Sequence, residues 1–205
     1  MKEKLLIGIA GGIGSGKSIV SRILRCNGYK VFDCDYEAKV LMEHDVRLRE
    51  SLKNLFGDLA YDKDNKLNKP YISDKIFGSE ILRQEMNALV HSRVKTRIME
   101  TIREDKKTSF VESAILFSSG IASMCDLSIL VTAPEQLRIE RVVARSNLSL
   151  KKINEIIKSQ KEEDNLIKNN NCFIIDNDGI SSLFIQLKEF LPALFSPENQ
   201  IYKIC

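Results

Sequence analysis

The chain has 205 residues, 43% of them hydrophobic and 29% charged, with a formal net charge of +3. That is long enough to bury a core and carry a sizeable insertion without disulfides or a structural metal, and too weakly charged overall to mark a nucleic-acid binder. No apolar run approaches the ~18 residues of a membrane span, the stretch behind Met1 is too short for a signal-peptide core, and the scattered single cysteines (Cys26, Cys34, Cys125, Cys172, Cys205) with only His44 and His91 argue against a disulfide framework or zinc site and for a reducing cytoplasm.

Residues 4–10 are apolar, β-rich and run into glycines, which predicts a buried strand. A helix is expected from about Lys17, with Ile19, Val20, Ile23 and Leu24 on one face and a stop near Asn27 and Gly28. Residues 29–33 predict a second strand. Strand, helix and strand within ~30 residues make a βαβ unit with parallel strands. Residues 36–107 are highly charged and helical in pattern, broken by a polar, turn-rich stretch at 58–70, and read as a helical insertion with no convincing strand. Strands resume at 108–113 and 127–132. Thr132 then reads as a helix N-cap, with Glu135 as its capping-box partner and Pro134 in the first turn. A helical stretch at 150–168, with Leu150, Ile153, Ile156 and Ile157 on one stripe, is stopped by the asparagines 169–171. Residues 172–176 predict a fifth strand and 180–191 a closing helix, with a peripheral tail after Pro192. The expected architecture is α/β: a five-stranded parallel sheet flanked by helices (about 1–35, 108–145 and 171–191), an insertion (about 36–107) and a helical lid (about 146–170).

The eight residues Gly11-Gly-Ile-Gly-Ser-Gly-Lys-Ser18 satisfy the phosphate-loop pattern G-x-x-x-x-G-K-[ST]. The bare string arises by chance in about one chain in a hundred of this length; here it also follows a strand and opens a helix, as the chemistry requires. Glycines let the backbone curl so that N–H groups converge on phosphate oxygens, and the helix N-terminus adds partial positive charge. Gly12, Ile13, Gly14, Ser15, Gly16, Lys17 and Ser18 are the candidate ATP contacts. Lys17 reaches the β- and γ-phosphates and Ser18 ligates Mg²⁺.

Ligands of open parallel sheets sit beyond the carboxyl ends of the strands, which singles out a few more side chains. Asp35 ends the second strand region and is either an N-cap or a carboxylate that takes a proton from an attacking hydroxyl. Glu112, ending the third strand, is either a solvated acid or the holder of a Mg²⁺-bound water. Arg138, Arg141 and Arg145 lie on the helix after the fourth strand. They either pair with Glu135 or Glu140 or neutralise charge on a transferred phosphoryl group. Asn177 sits in a turn after the last strand, where the alternative is contact with adenine. His91, on an insertion helix, is a packed structural residue or a ligand.

Taken together, the loop, Asp33-Cys-Asp35, the segment 134–141 (PEQLRIER) and Ile175-Asp-Asn177, in this order, resemble the dephospho-coenzyme A kinase family over nearly the whole chain. The resemblance implies a P-loop core, a helical domain for the coenzyme substrate, and a lid. It implies ATP-dependent phosphorylation of the ribose 3′-hydroxyl of dephospho-coenzyme A, with ATP and Mg²⁺, in a cytoplasmic monomer or weak homo-oligomer. Asp35 then matches the general base and Arg141 the phosphate-contacting arginine, with Lys17 completing the catalytic set. Asp33 and His91 join Asp35 on the substrate side, and Arg145 and Asn177 join the nucleotide side. The chain departs from the family pattern at Ala10 (usually Thr), Ser92 (usually Pro), Ser118 (usually Glu) and Leu166 (usually basic), where Lys161 or Lys168 are possible substitutes, while the lid Gln160 matches. Rival readings are another small-metabolite kinase, a GTPase-type switch (against which no N-K-x-D segment is found), or an idle nucleotide-fold scaffold.

Overall fold

The computed structural model describes residues 4–103, 107–146, 148–160, 163, 165–166 and 172–195. Two compact units emerge, one formed by Met1–Phe32 with Lys106–Cys205 and the other by Asp33–Asp105.

In the first unit, strands β1 (Leu6–Ala10), β2 (Lys30–Asp33, whose last residue opens the second unit), β3 (Ser109–Glu112), β4 (Leu127–Thr132) and β5 (Phe173–Asp176) form one parallel sheet in the order β2-β3-β1-β4-β5. Ile9 lies opposite Glu112 in β3 and Ile129 in β4, so β1 is flanked on both edges. All five of its residues are buried, as expected for a parallel strand covered on both faces. Helix α1 (Lys17–Cys26) turns Val20 and Leu24 inward, and α8 (Leu183–Phe195) turns in Leu187 and Phe190. These meet Ile7, Ile9, Phe110, Ile129, Val131 and Ile175 in a single apolar cluster. The sheet order places β1 where the winding reverses, so the chain leaving Ala10 emerges at the switch point at which such folds bind ligands.

Two local expectations fail here. Thr132 is not a helix cap. It is the last residue of β4, paired with Asp176 of β5, and its hydroxyl lies 3.3 Å from Asp176 Oδ1. Helix α6 (Glu135–Arg145) starts after an extended Pro134 and has no side-chain cap; strand pairing has outweighed the local capping signal. Nor does the last helix end before Pro192, which lies inside α8. Leu187 and Phe190 form the buried stripe, whereas Lys188 and Pro192 are exposed. The Lys188 carbonyl that proline leaves without a helical donor therefore faces the solvent side, where water can satisfy it.

Between α6 and β5 lies α7 (Leu150–Ser159), capped by Ser149, whose hydroxyl accepts from the Lys152 amide. Of its expected stripe Ile153 is fully buried and Leu150 exposed. The asparagines 169–171 and the lysines 161 and 168 lie outside the described residues.

The second unit is helical: α2 (Cys34–His44), α3 (Val46–Phe56), α4 (Lys69–Phe77) and α5 (Glu80–Arg103). An isolated antiparallel bridge joins Tyr61 and Leu67. Leu48, Leu52 and Phe56 of α3, Ile72 of α4, and Val90, Val94 and Ile98 of α5 are buried. Asp45 caps α3 through the Leu48 amide and pairs with Arg93 Nε at 2.7 Å. Among the described residues no helix is long and apolar enough to cross a membrane.

Candidate active site

Between β1 and α1 the chain passes through three left-handed glycines, Gly11 (φ 146°), Gly14 (φ 76°) and Gly16 (φ 104°). Side chains are strained in that region, but the tighter constraint is space. A methyl on Gly14 would overlap the Arg138 carbonyl, one on Gly12 the Arg138 guanidinium, and one on Gly16 the Asn177 amide. The loop is thus shaped from outside as well as by its own backbone.

Three side chains distant in sequence supply that shape. Arg138 Nε donates to the Ile13 carbonyl at 2.9 Å. Gln160 Oε1 accepts from the Ile13 amide at 2.9 Å. Asn177 Nδ2 donates to the Ser15 carbonyl at 2.7 Å, and Asn177 Oδ1 accepts from Arg141 Nη2 at 3.2 Å. Lys17 Nζ curls over the same loop and donates to the Gly11 and Gly12 carbonyls at 2.6 and 3.2 Å. Ser18, one residue into α1, presents an exposed hydroxyl.

Two orphaned atoms show what the arrangement is made to receive. Arg141 Nη1 and Ser15 Oγ are buried without a hydrogen-bond partner, a costly state for a guanidinium donor in particular. With Lys17, the open N-terminus of α1 and glycine-bared amides, the donor excess suits a phosphate chain. The residues present therefore fit a nucleoside triphosphate. The Ser18 hydroxyl and Glu112, at the end of the neighbouring strand, are hard oxygen donors of the kind Mg²⁺ takes.

The comparisons with known proteins agree with this chemistry. A family model described as dephospho-CoA kinase matches residues 5–182. The chain belongs to the dephospho-CoA kinase family. It is 41% identical over 165 residues to a dephospho-CoA kinase of Porphyromonas gingivalis, covering 80% of this chain and 81% of that one. With the dephospho-CoA kinase of Bacteroides fragilis it shares 35% identity over 201 residues, 97% of this chain and 96% of the other. A crystal structure of the Thermus thermophilus protein TT1252 superposes with a TM-score of 0.80 at 29% identity, over 95% of this chain and all of that one.

As a dephospho-CoA kinase the chain distributes the expected residues unevenly. Arg141 points to the loop, whereas Arg145 is exposed on the last turn of α6. Glu140, offered by the sequence as a salt-bridge partner, instead accepts from Gln136 at 3.0 Å. Asn177, 7% exposed, braces Ser15 and Arg141 with both ends of its amide. The N-cap of α2 is Asp33, whose carboxylate accepts from the Tyr36 amide at 3.0 Å. The capping role considered for Asp35 is therefore taken by its neighbour, and Asp35 is exposed in the first helical turn. His91 is half-buried on α5; burial, helped by the Lys95 charge, pushes its pKa below the ordinary histidine value, so the ring is neutral near pH 7. Burial, with the Asp126 charge, raises the Cys125 thiol to about 12, and burial raises Cys172 to about 11, leaving both protonated rather than nucleophilic.

Two residues of this site escaped the sequence reading. Gln160 was visible only as a match to the family, with no role attached. Glu163, 3% exposed, accepts from the Phe117 and Ser118 amides at 2.7 and 2.8 Å. It stands in the run Lys-Glu-Glu-Asp of the expected helical stretch 150–168, and no sequence signal marks it.

Proposed function

We propose that this kinase moves the γ-phosphoryl group of ATP to the ribose 3′-hydroxyl of dephospho-coenzyme A, the reaction of its family, with Asp35 as general base and Arg141 as the in-cis arginine. The observation that carries the phosphate side is the buried, partnerless Arg141 Nη1, held against the loop through Asn177. A guanidinium fixed in this way neutralises charge developing on equatorial phosphoryl oxygens without reorganising first. Lys17 and the loop amides hold the β- and γ-phosphates in line. Ser18, with Glu112 behind it, would hold Mg²⁺, which would supply further neutralisation of the phosphate charge.

On the acceptor side, support for Asp35 comes from its match to the family's D-x-D pattern and from Asp33 taking the cap, which leaves the Asp35 carboxylate exposed in the first turn of α2. Asp35 accepts the hydroxyl proton as the oxygen attacks phosphorus, the P–O bond to ADP breaks, and coenzyme A leaves bearing the new phosphate. Asp33 and His91 contribute to acceptor binding, and neutral His91 offers a hydrogen bond rather than a charge. The free thiols of the described cysteines support a cytoplasmic setting.

The test is transfer of label from γ-labelled ATP to a panel of acceptors: dephospho-coenzyme A, shikimate, gluconate and nucleosides, repeated with GTP as donor. Acceptor-dependent ADP release with dephospho-coenzyme A alone, and preference for ATP over GTP, is expected. Transfer to another acceptor, or none, would overturn the assignment.

A further inference from the structure

Within the first unit, two buried side chains three residues apart, just after α7, reach two other places of the chain. Gln160, 9% exposed, takes the Ile13 amide of the phosphate loop, and Glu163, 3% exposed, takes two successive amides, Phe117 and Ser118, of the turn after β3. Both backbone groups of Ile13 are engaged, since Arg138 Nε donates to its carbonyl. Its N–H is thus a strut of the loop, already engaged by Gln160. The turn held by Glu163 starts immediately beyond Ser113, next to Glu112 at the end of β3. A carboxylate accepting two backbone N–H groups at these lengths is the strong, charge-assisted kind of hydrogen bond, and its geometry fixes both partners.

We infer that Gln160 and Glu163 form a two-point clasp that positions the phosphate loop and the post-β3 turn relative to each other, and that this clasp sets the affinity for ATP. The inference rests on the phosphate-loop reading above. Neither residue touches the reacting atoms; both are positioning residues, acting through backbone amides. A clasp with one point released no longer holds the other well, so the two side chains should behave as one unit rather than independently.

The test uses near-isosteric replacements in the full chain. Gln160→Met keeps the length and removes the acceptor. Glu163→Gln keeps the shape but replaces one of two acceptor oxygens by an amide nitrogen that faces an N–H. Measured by titration with ATP, each raises Kd about tenfold, roughly the worth of one buried hydrogen bond to a backbone donor. KM for ATP rises with it, while kcat changes less than threefold, and the double variant is little worse than the worse single. Amide hydrogen exchange reports the cause directly: Ile13 loses protection in Gln160→Met, and Phe117 and Ser118 lose it in Glu163→Gln. An unchanged Kd with the amides deprotected overturns the clasp and makes both residues merely structural, as do losses that multiply in the double variant. Should Glu163→Gln fail to fold, Gln160→Met alone decides by the same readouts. Absence of ATP binding by the unmodified protein overturns instead the phosphate-loop reading beneath it.

Discussion

Replacing Asn177 by alanine asks whether the phosphate loop owes its working shape to a residue 162 positions away from Ser15. The substitution removes the donor to the Ser15 carbonyl at 2.7 Å and the acceptor for Arg141 Nη2 at 3.2 Å. The first is a neutral bond at a buried site, worth about 1 kcal/mol; the second holds a guanidinium and is worth about 1.5 kcal/mol, the low end for a charged group because it is long. Together they come to about 2–3 kcal/mol, which at about 2–4 °C per kcal/mol for a chain of this size lowers Tm by about 5–10 °C. Because Arg141 loses the contact that aims it, kcat/KM for ATP should fall by about 10–100-fold. Scanning calorimetry gives the first quantity, and a coupled ADP-release assay at varied ATP gives the second. If Asn177 works through Arg141, the double variant Asn177→Ala with Arg141→Ala should be hardly slower than Arg141→Ala alone. A single variant with the parent kcat/KM, or a double variant whose losses multiply, would refute the reasoning.

Three further outcomes follow from the same structure. Asp35→Asn should leave the titrated affinity for ATP within about threefold and lower turnover by about 10²–10⁴-fold, as loss of a general base does; unchanged turnover removes Asp35 from that role. Gly14→Ala places a methyl against the Arg138 backbone at a left-handed φ, so it should abolish ATP binding in the same titration. By contrast Gly28→Ala, left-handed too but with open space around it, should cost only about 1–2 kcal/mol of stability by urea unfolding and keep ATP binding. His91 has its pKa depressed in the fold by burial and by Lys95. Its share of stability is therefore complete above the unfolded value of about 6.5 and is lost as pH falls through the folded one, because the unfolded state binds the proton more readily. Urea midpoints at pH 7.5 and 5.5 should show a smaller drop in His91→Gln than in the parent; an equal drop would refute it.

What could be read without coordinates was whatever the chain builds from neighbouring residues. The phosphate loop is contiguous, its chemistry lies in backbone amides and two adjacent side chains, and its left-handed turns need the glycines that stand there. Strand and helix periods likewise placed five strands and the helices around them, because burial on a parallel sheet writes itself into local hydrophobicity. The ambiguity at Asp35 was of another kind: a carboxylate at a helix start reads as a cap or as a base, and only the structure shows that Asp33 reaches the Tyr36 amide.

Tertiary pairing decided the rest. Thr132 carries a sound capping signal, yet its backbone is held in register with β5, and a paired strand residue is not available to start a helix. The braces of the loop come from 125 residues away at Arg138, 147 at Gln160 and 162 at Asn177. They meet because the sheet sets β4 beside β1 and β5 beside β4, delivering α6, α7 and the end of β5 to one edge of the loop. Composition and periodicity carry no record of such a meeting, since a buried polar side chain and a solvated one look alike until the partner is in place. That is why Glu163, which nothing in the sequence singled out, turns out to be among the least exposed acids of the described residues.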